Sequence, residues 1–181
     1  MMNRDEKSQM DAIGVLKTII EASGGEFQGK VRLYKAFYFA HLFYWRDFQD
    51  ILTDYPIVKM PHGPGIDNGD ELIDKMIGQG DVSVSFQLNG PYKEATYKLT
   101  SRFEIDPNEV RYQAIEKAVK FIEGKSAREL SEITHENSKS WLMVNDGEEM
   151  NIYLDVLDDE EFSLIQNNLA EAKKRMAEVF G

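Results

Sequence analysis

The chain has 181 residues, 42% of them apolar and 11% aromatic, with 21 Lys and Arg against 32 Asp and Glu for a net charge of −11. A chain of this size and composition can bury one sizeable core, and its acidity argues against a nucleic-acid surface, which draws affinity from clustered Lys and Arg. With no cysteine it has no disulfide framework, thiolate zinc site, iron–sulfur cluster or cysteine nucleophile.

Met1–Met10 carries no apolar signal-peptide core, and the longest uncharged apolar stretch, Ala36–Trp45, is about half a membrane span. A soluble, cytoplasmic chain is therefore expected. Met10, Ile13, Leu16 and Ile20 mark the buried face of a first helix over Asp5–Ser23, stopped by Gly24 and Gly25. A second helix runs from about Gly29 to Phe48. Its middle, Phe37 to Trp45, is apolar nearly all round, so it must be covered on most sides and forms the spine of the core.

Tyr55–Met60 is a short strand candidate, followed by a loop of Pro61, His62, Gly63, Pro64 and Gly65 whose prolines and glycines force a bend. A short helix over Asp67–Ile77 comes next. Val82, Val84, Phe86 and Leu88, then Ala95, Tyr97 and Leu99, alternate with polar residues around Asn89-Gly90, the pattern of a β-hairpin. Asp106, Pro107 and Glu109 read as a helix start, with Val110, Ala114, Ala118, Phe121 and Ile122 on its buried side. Ser126 and Glu129 have capping-box spacing for another helix. Asn151–Leu157 reads as a strand or extended connection. The last helix begins near Asp158–Glu161 and ends in Lys173-Lys174-Arg175, and its apolar positions Phe162, Ile165, Leu169, Ala172, Met176 and Val179 form a narrow heptad-like seam. Docking of that seam on the same chain is expected over a coiled-coil dimer, because short coiled coils seldom hold alone.

The whole reads as mainly α with a small β component, α+β, with a winged-helix-like helical core, a β-hairpin and extra C-terminal helices. It is expected to be one domain over 1–181, with a core over about 1–144 and an acidic segment and helix over about 145–181 packed on it. A DNA-reading winged helix would lead its recognition helix into the duplex, but here Asp67, Asp70 and Glu71 would meet the phosphates. Phosphate-cradling, nucleophile-elbow and His-Glu-x-x-His motifs do not occur. Each histidine has a structural reading: His41 as a core residue, His62 as a brace for the bend, His135 as a helix-end cap, with convergence on a metal as the lesser alternative. Glu129–Glu161 holds 11 acids and one Lys, either a solvated face or a patch that steers a basic partner.

Three segments carry a resemblance. Lys35-Ala36-Phe37-Tyr38-Phe39-Ala40-His41, the His62-Gly63-Pro64 bend, and Leu130–Glu136 with its Thr134-His135 pair followed by Trp141 resemble, in order, the motifs of the Panacea domain, the SocA-like antitoxin family. Ser140 stands where the family has proline, which should loosen the turn before Trp141. The resemblance implies a protein without chemistry of its own, no cofactor and no metal, found as antitoxins and on prophages and mobile elements. It implies that the chain neutralises a cognate toxin by direct binding, with delivery to a protease as one family mode. The alternatives are a DNA-binding regulator of winged-helix type and an interaction protein whose partner is not a toxin. Tyr34, Tyr38, Trp45, His62, Gly63, Pro64, Thr134, His135 and Trp141 are the candidate partner-binding or motif residues. Tyr38 and Trp45 are expected in the core, and His135 and Trp141 are expected to lock the helix end to the core by packing and one hydrogen bond.

Overall fold

Residues 3–180 are described by a computed structural model; residues 1, 2 and 181 of the expected 1–181 unit lie outside the described residues. Helix α1 (Arg4–Ala22) starts at Asn3, whose side chain accepts from Glu6 N at 2.8 Å while Glu6 accepts from Asn3 N at 3.0 Å, a reciprocal cap. It buries Ala12, Ile13, Val15, Leu16, Ile19 and Ile20, so its apolar stripe is centred away from Met10, which is exposed. Strand β1 (Glu26–Gln28), which periodicity could not mark in three residues, leads into α2 (Lys30–Phe48). As expected for an all-round apolar helix, every residue from Leu33 to Leu42 is buried. Neighbours on all sides, including α1 and the elements described next, provide that cover.

The expected bend at residues 61–65 is a tight hairpin. Strand β2 (Ile57–Met60) pairs antiparallel with β3 (Gly63–Ile66), Met60 opposite Gly63, leaving only Pro61 and His62 in the turn. Pro64 is tolerated because β3 is an edge strand and needs no N–H there. Helix α3 (Gly69–Gly78) precedes the expected hairpin, β4 (Val82–Asn89) and β5 (Tyr92–Leu99), which turns through Gly90 at φ 61. Strand β1 adds to this hairpin in the order β1-β5-β4. The succession α1, β1, α2, α3, β4, β5 is thus the winged-helix order, with β2–β3 inserted before α3.

Helix α4 (Val110–Ile122) starts later than expected. Asp106 closes a turn onto Asn108 N, and Glu109 is the cap, accepting from Arg111 N and Tyr112 N at 3.2 Å. Val110, in the uncovered first turn, is exposed and not on the buried side. The capping box at Ser126 opens α5 (Ala127–Asn137) as expected, and a further short helix, α6 (Lys139–Met143), follows at Ser138. The extended piece expected at Asn151–Leu157 lies earlier. Lys59 N donates to Glu148 O and Met150 N to Ile57 O along the free edge of β2, whereas Ile152–Val156 forms a 3₁₀ turn.

Helix α7 (Asp159–Phe180) departs furthest from expectation. Only its start packs on the domain: Lys139 Nζ lies 3.1 Å from Asp159 and 5.4 Å from the Phe162 ring, Phe162 and Ile165 are half-buried, and from Gln166 to Val179 every residue is exposed. The core cluster among the described residues is assembled without it. Among the described residues no helix is long and apolar enough to cross a membrane.

His41, inside α2, is the core residue expected of it. Its Nδ1 lies 2.8 Å from Phe37 O and its Nε2 2.9 Å from Thr53 Oγ1, so the neutral ring donates to the carbonyl and accepts from the hydroxyl. Complete burial pushes its pKa down to about 4. The folded state binds the proton less readily than the unfolded chain, so stability falls as pH drops from about 6.5 towards 4. Denaturant midpoints for wild type and His41→Asn, measured from pH 7 to 4, should converge as the medium is acidified, with wild type losing up to about 3 kcal/mol more than the variant.

Candidate functional site

Lys35 is the one lysine in the buried run of α2, a conspicuous charge between Tyr34 and Ala36. Its turn of the helix faces the open edge of β3, where Nζ donates to Pro64 O at 3.0 Å. Burial pushes its pKa down to about 7, because the amine is held among apolar surfaces that disfavour the charged form. Beside it Gly63 has φ +93, and a methyl group built on that glycine would meet Lys35 Nζ at 2.6 Å and Thr134 Oγ1 closer still. Only glycine fits there on both counts. Thr134 is buried, its hydroxyl turned back to Leu130 O and Ser131 O at 3.0 Å.

The next residue leads outward. His135 stacks on Trp141 with ring centroids 4.4 Å apart, and Trp141 Nε1 donates to Met60 O at 3.2 Å, tying α6 to the β2–β3 turn. Lys59 Nζ sits 4.1 Å from the indole centroid and donates to Val144 O. The expected packing and single hydrogen bond are both present, the bond coming from the indole. His135 does not take the expected capping role: its ring lies on the indole, and Nε2 is buried without a hydrogen-bond partner. His62 is exposed in the turn instead of bracing it, and lines with His135, Arg32, Lys125 and Arg128 a groove of about 990 Å³. On the other side of the turn a cavity of about 640 Å³ is lined by Tyr34, Lys35, Lys59, Gly63 and Asp70. Among the described residues no group of three or more His, Asp or Glu is arranged to hold a metal ion.

Of the residues singled out in the sequence, His62, Gly63, Pro64, Thr134, His135 and Trp141 therefore come together around the end of Lys35. Of the other three, Tyr34 lines the cavity beside Lys35, and Tyr38 and Trp45 lie apart. Tyr34 donates to Asp70 at 3.0 Å and crosses Gly69 so closely that a side chain there would collide with its hydroxyl, which pins α2 to α3. Tyr38 donates to Asp155 at 2.6 Å, and Trp45, half-buried, packs on Tyr153 at 4.6 Å.

Asp155 was not legible as a site residue, being one acid in an acid-rich run. In the fold it accepts from Tyr38 Oη, Ser138 Oγ, Ser140 Oγ and Ser140 N, all between 2.6 and 2.8 Å. Proline at position 140 could supply neither of the bonds from Ser140. The departure from the family pattern thus tightens the turn before Trp141 instead of loosening it. Every other acid from Glu129 to Glu161 is exposed.

Two measurements test this junction. Gly63→Ala should cost about 2 kcal/mol or more in denaturant unfolding, from positive φ and overpacking together. Because the folded-state pKa of Lys35 lies below its unfolded value, stability should rise as pH goes from about 7 to 10. Lys35→Met should lose that slope.

A model of the family described as Antitoxin SocA-like, Panacea domain matches residues 33–142. No curated protein and no solved structure matches the chain. The matched span is well over half of the chain and encloses the β2–β3 turn, Lys35, Thr134, His135 and Trp141. The chain belongs to the SocA-like, Panacea domain family of antitoxins.

Proposed function

We propose that this protein is the antitoxin of a toxin–antitoxin pair and neutralises its cognate toxin by direct, non-catalytic binding. One observation carries the reading. The family span folds around the Lys35–Gly63–Thr134 contact and presents Lys59, His62, His135 and Trp141 on its rim, held by β2, α5 and α6. A half-exposed tryptophan held between packed elements is the kind of side chain that anchors protein-binding hot spots. The exposed acids from Glu129 to Glu161 suit a basic partner. Tyr34 and Tyr38 belong to internal ties in this reading, and Trp45 to packing over the 3₁₀ turn. We include delivery of the toxin to a protease in this reading, as a second step of the same binding.

Two features support a protein partner over DNA. The first turn of α3, where a recognition helix would meet the duplex, carries Asp70 and Glu71. The wing tip is apolar, with Phe86, Leu88 and Tyr92 exposed.

Co-expression with the product of the adjacent open reading frame is the test. That product should arrest growth alone, be rescued by this protein and co-purify with it. His62→Glu, at an exposed turn, should leave the fold unchanged and weaken co-purification about tenfold or more. A neighbour that is harmless and does not co-purify would overturn the reading. Fluorescence anisotropy with operator DNA at low salt should show no binding.

A further inference from the structure

Helix α7 shows an apolar seam to solvent, and the charges beside it specify a partner. With Phe162, Leu169 and Met176 at position a of a heptad and Ile165, Ala172 and Val179 at position d, the flanking positions are Asp159, Gln166 and Lys173 on one side and Glu161, Asn168 and Arg175 on the other. Leu169, Met176 and Val179 are 44%, 62% and 73% exposed, Phe162 and Ile165 are half-buried, and none of the described residues of α7 belongs to the core cluster.

We propose that α7 pairs antiparallel with α7 of a second copy of this chain, about a twofold axis at Asn167. In that register Phe162 meets the second copy's Ala172, and Ile165 its Leu169, so a large residue faces a small one and two medium residues face each other, while Met176 and Val179 lie beyond these four layers. Glu161, which also caps its own helix by accepting from Asp158 N at 3.0 Å, meets Arg175, and Asp159, which also pairs with Lys139 of its own chain at 3.1 Å, meets Lys173, each pair occurring twice by symmetry. The acidic first turn of each helix then lies against the basic stretch of the other, and the helix dipoles oppose. A parallel pairing places Glu161 opposite Gln166 and Asn168 opposite Lys173 and makes none of these ion pairs, while crowding the two copies of Lys173-Lys174-Arg175 together. The charge order along α7 therefore selects a second, inverted copy of itself. Interhelical charges of this kind set partner and orientation in coiled coils.

The chain has no cysteine, which makes the test direct. Sedimentation velocity of the full chain should show a concentration-dependent dimer. Asn168 faces its own counterpart across the axis, so Asn168→Cys should form an interchain disulfide under mild oxidation, whereas Leu164→Cys, on the outer face, should not. Leu169→Glu changes an exposed side chain, should leave the far-UV circular dichroism intact, and should abolish the dimer. Arg175→Glu should weaken self-association about tenfold, and the added change Glu161→Arg should restore it. A chain that stays monomeric into the hundred-micromolar range overturns the proposal, whether α7 is then free, folded back or held by another protein. So does a dimer that survives Leu169→Glu or fails to cross-link through position 168.

Discussion

Burial on every side is the constraint from which the rest of the structure follows. Leu33–Leu42 of α2 leaves no polar stripe to face water, so the fold must supply cover all the way round. Helices α1 and α4 take two sides, and the winged-helix sheet, the β2–β3 hairpin and the 3₁₀ turn close the others. Four polar side chains inside that run are then forced to find partners. His41 takes Phe37 O and Thr53, Lys35 takes Pro64 O, Tyr34 takes Asp70, and Tyr38 takes Asp155.

Apart from Phe37, which lies in α2 itself, each of those partners joins another segment to the helix. Lys35 holds the β2–β3 hairpin, whose Gly63 also touches Thr134, so one buried contact links α2, β3 and α5. Tyr38 holds Asp155, which gathers Ser138 and Ser140 and so fixes the entry to α6. Trp141 closes the loop from α6 back to Met60. The half-exposed rim is backed by residues that are buried and bonded.

Much of this was legible in the order of residues. The capping box at Ser126, the alternation of Val82–Leu88 and the all-round apolar character of α2 are local patterns, and each became the expected element. Lys35 and the motif positions 62–64, 134, 135 and 141 converge from three segments of the chain. Three-residue β1 and five-residue α6 are too short for periodicity to register, and Glu109 displaced Asp106 as a cap because Asp106 was taken by its own turn. Asp155 carried no local sign of its role, since an acid among acids becomes a hub only when four donors are folded around it.

The sequence by itself determined the inventory and the patterning: a large apolar helix to be covered, no cysteine, a net negative charge, glycines where backbone must bend, and a seam on the last helix. Those properties are fixed by residue type and spacing within a few turns of chain. Tertiary structure alone decided which polar groups became internal ties and which remained at the rim, because that depends on contacts between segments a hundred residues apart. It also decided that α7 is left outside. The core cluster is assembled from elements that precede the last helix, and beyond Ile165 the described residues of α7 stay exposed.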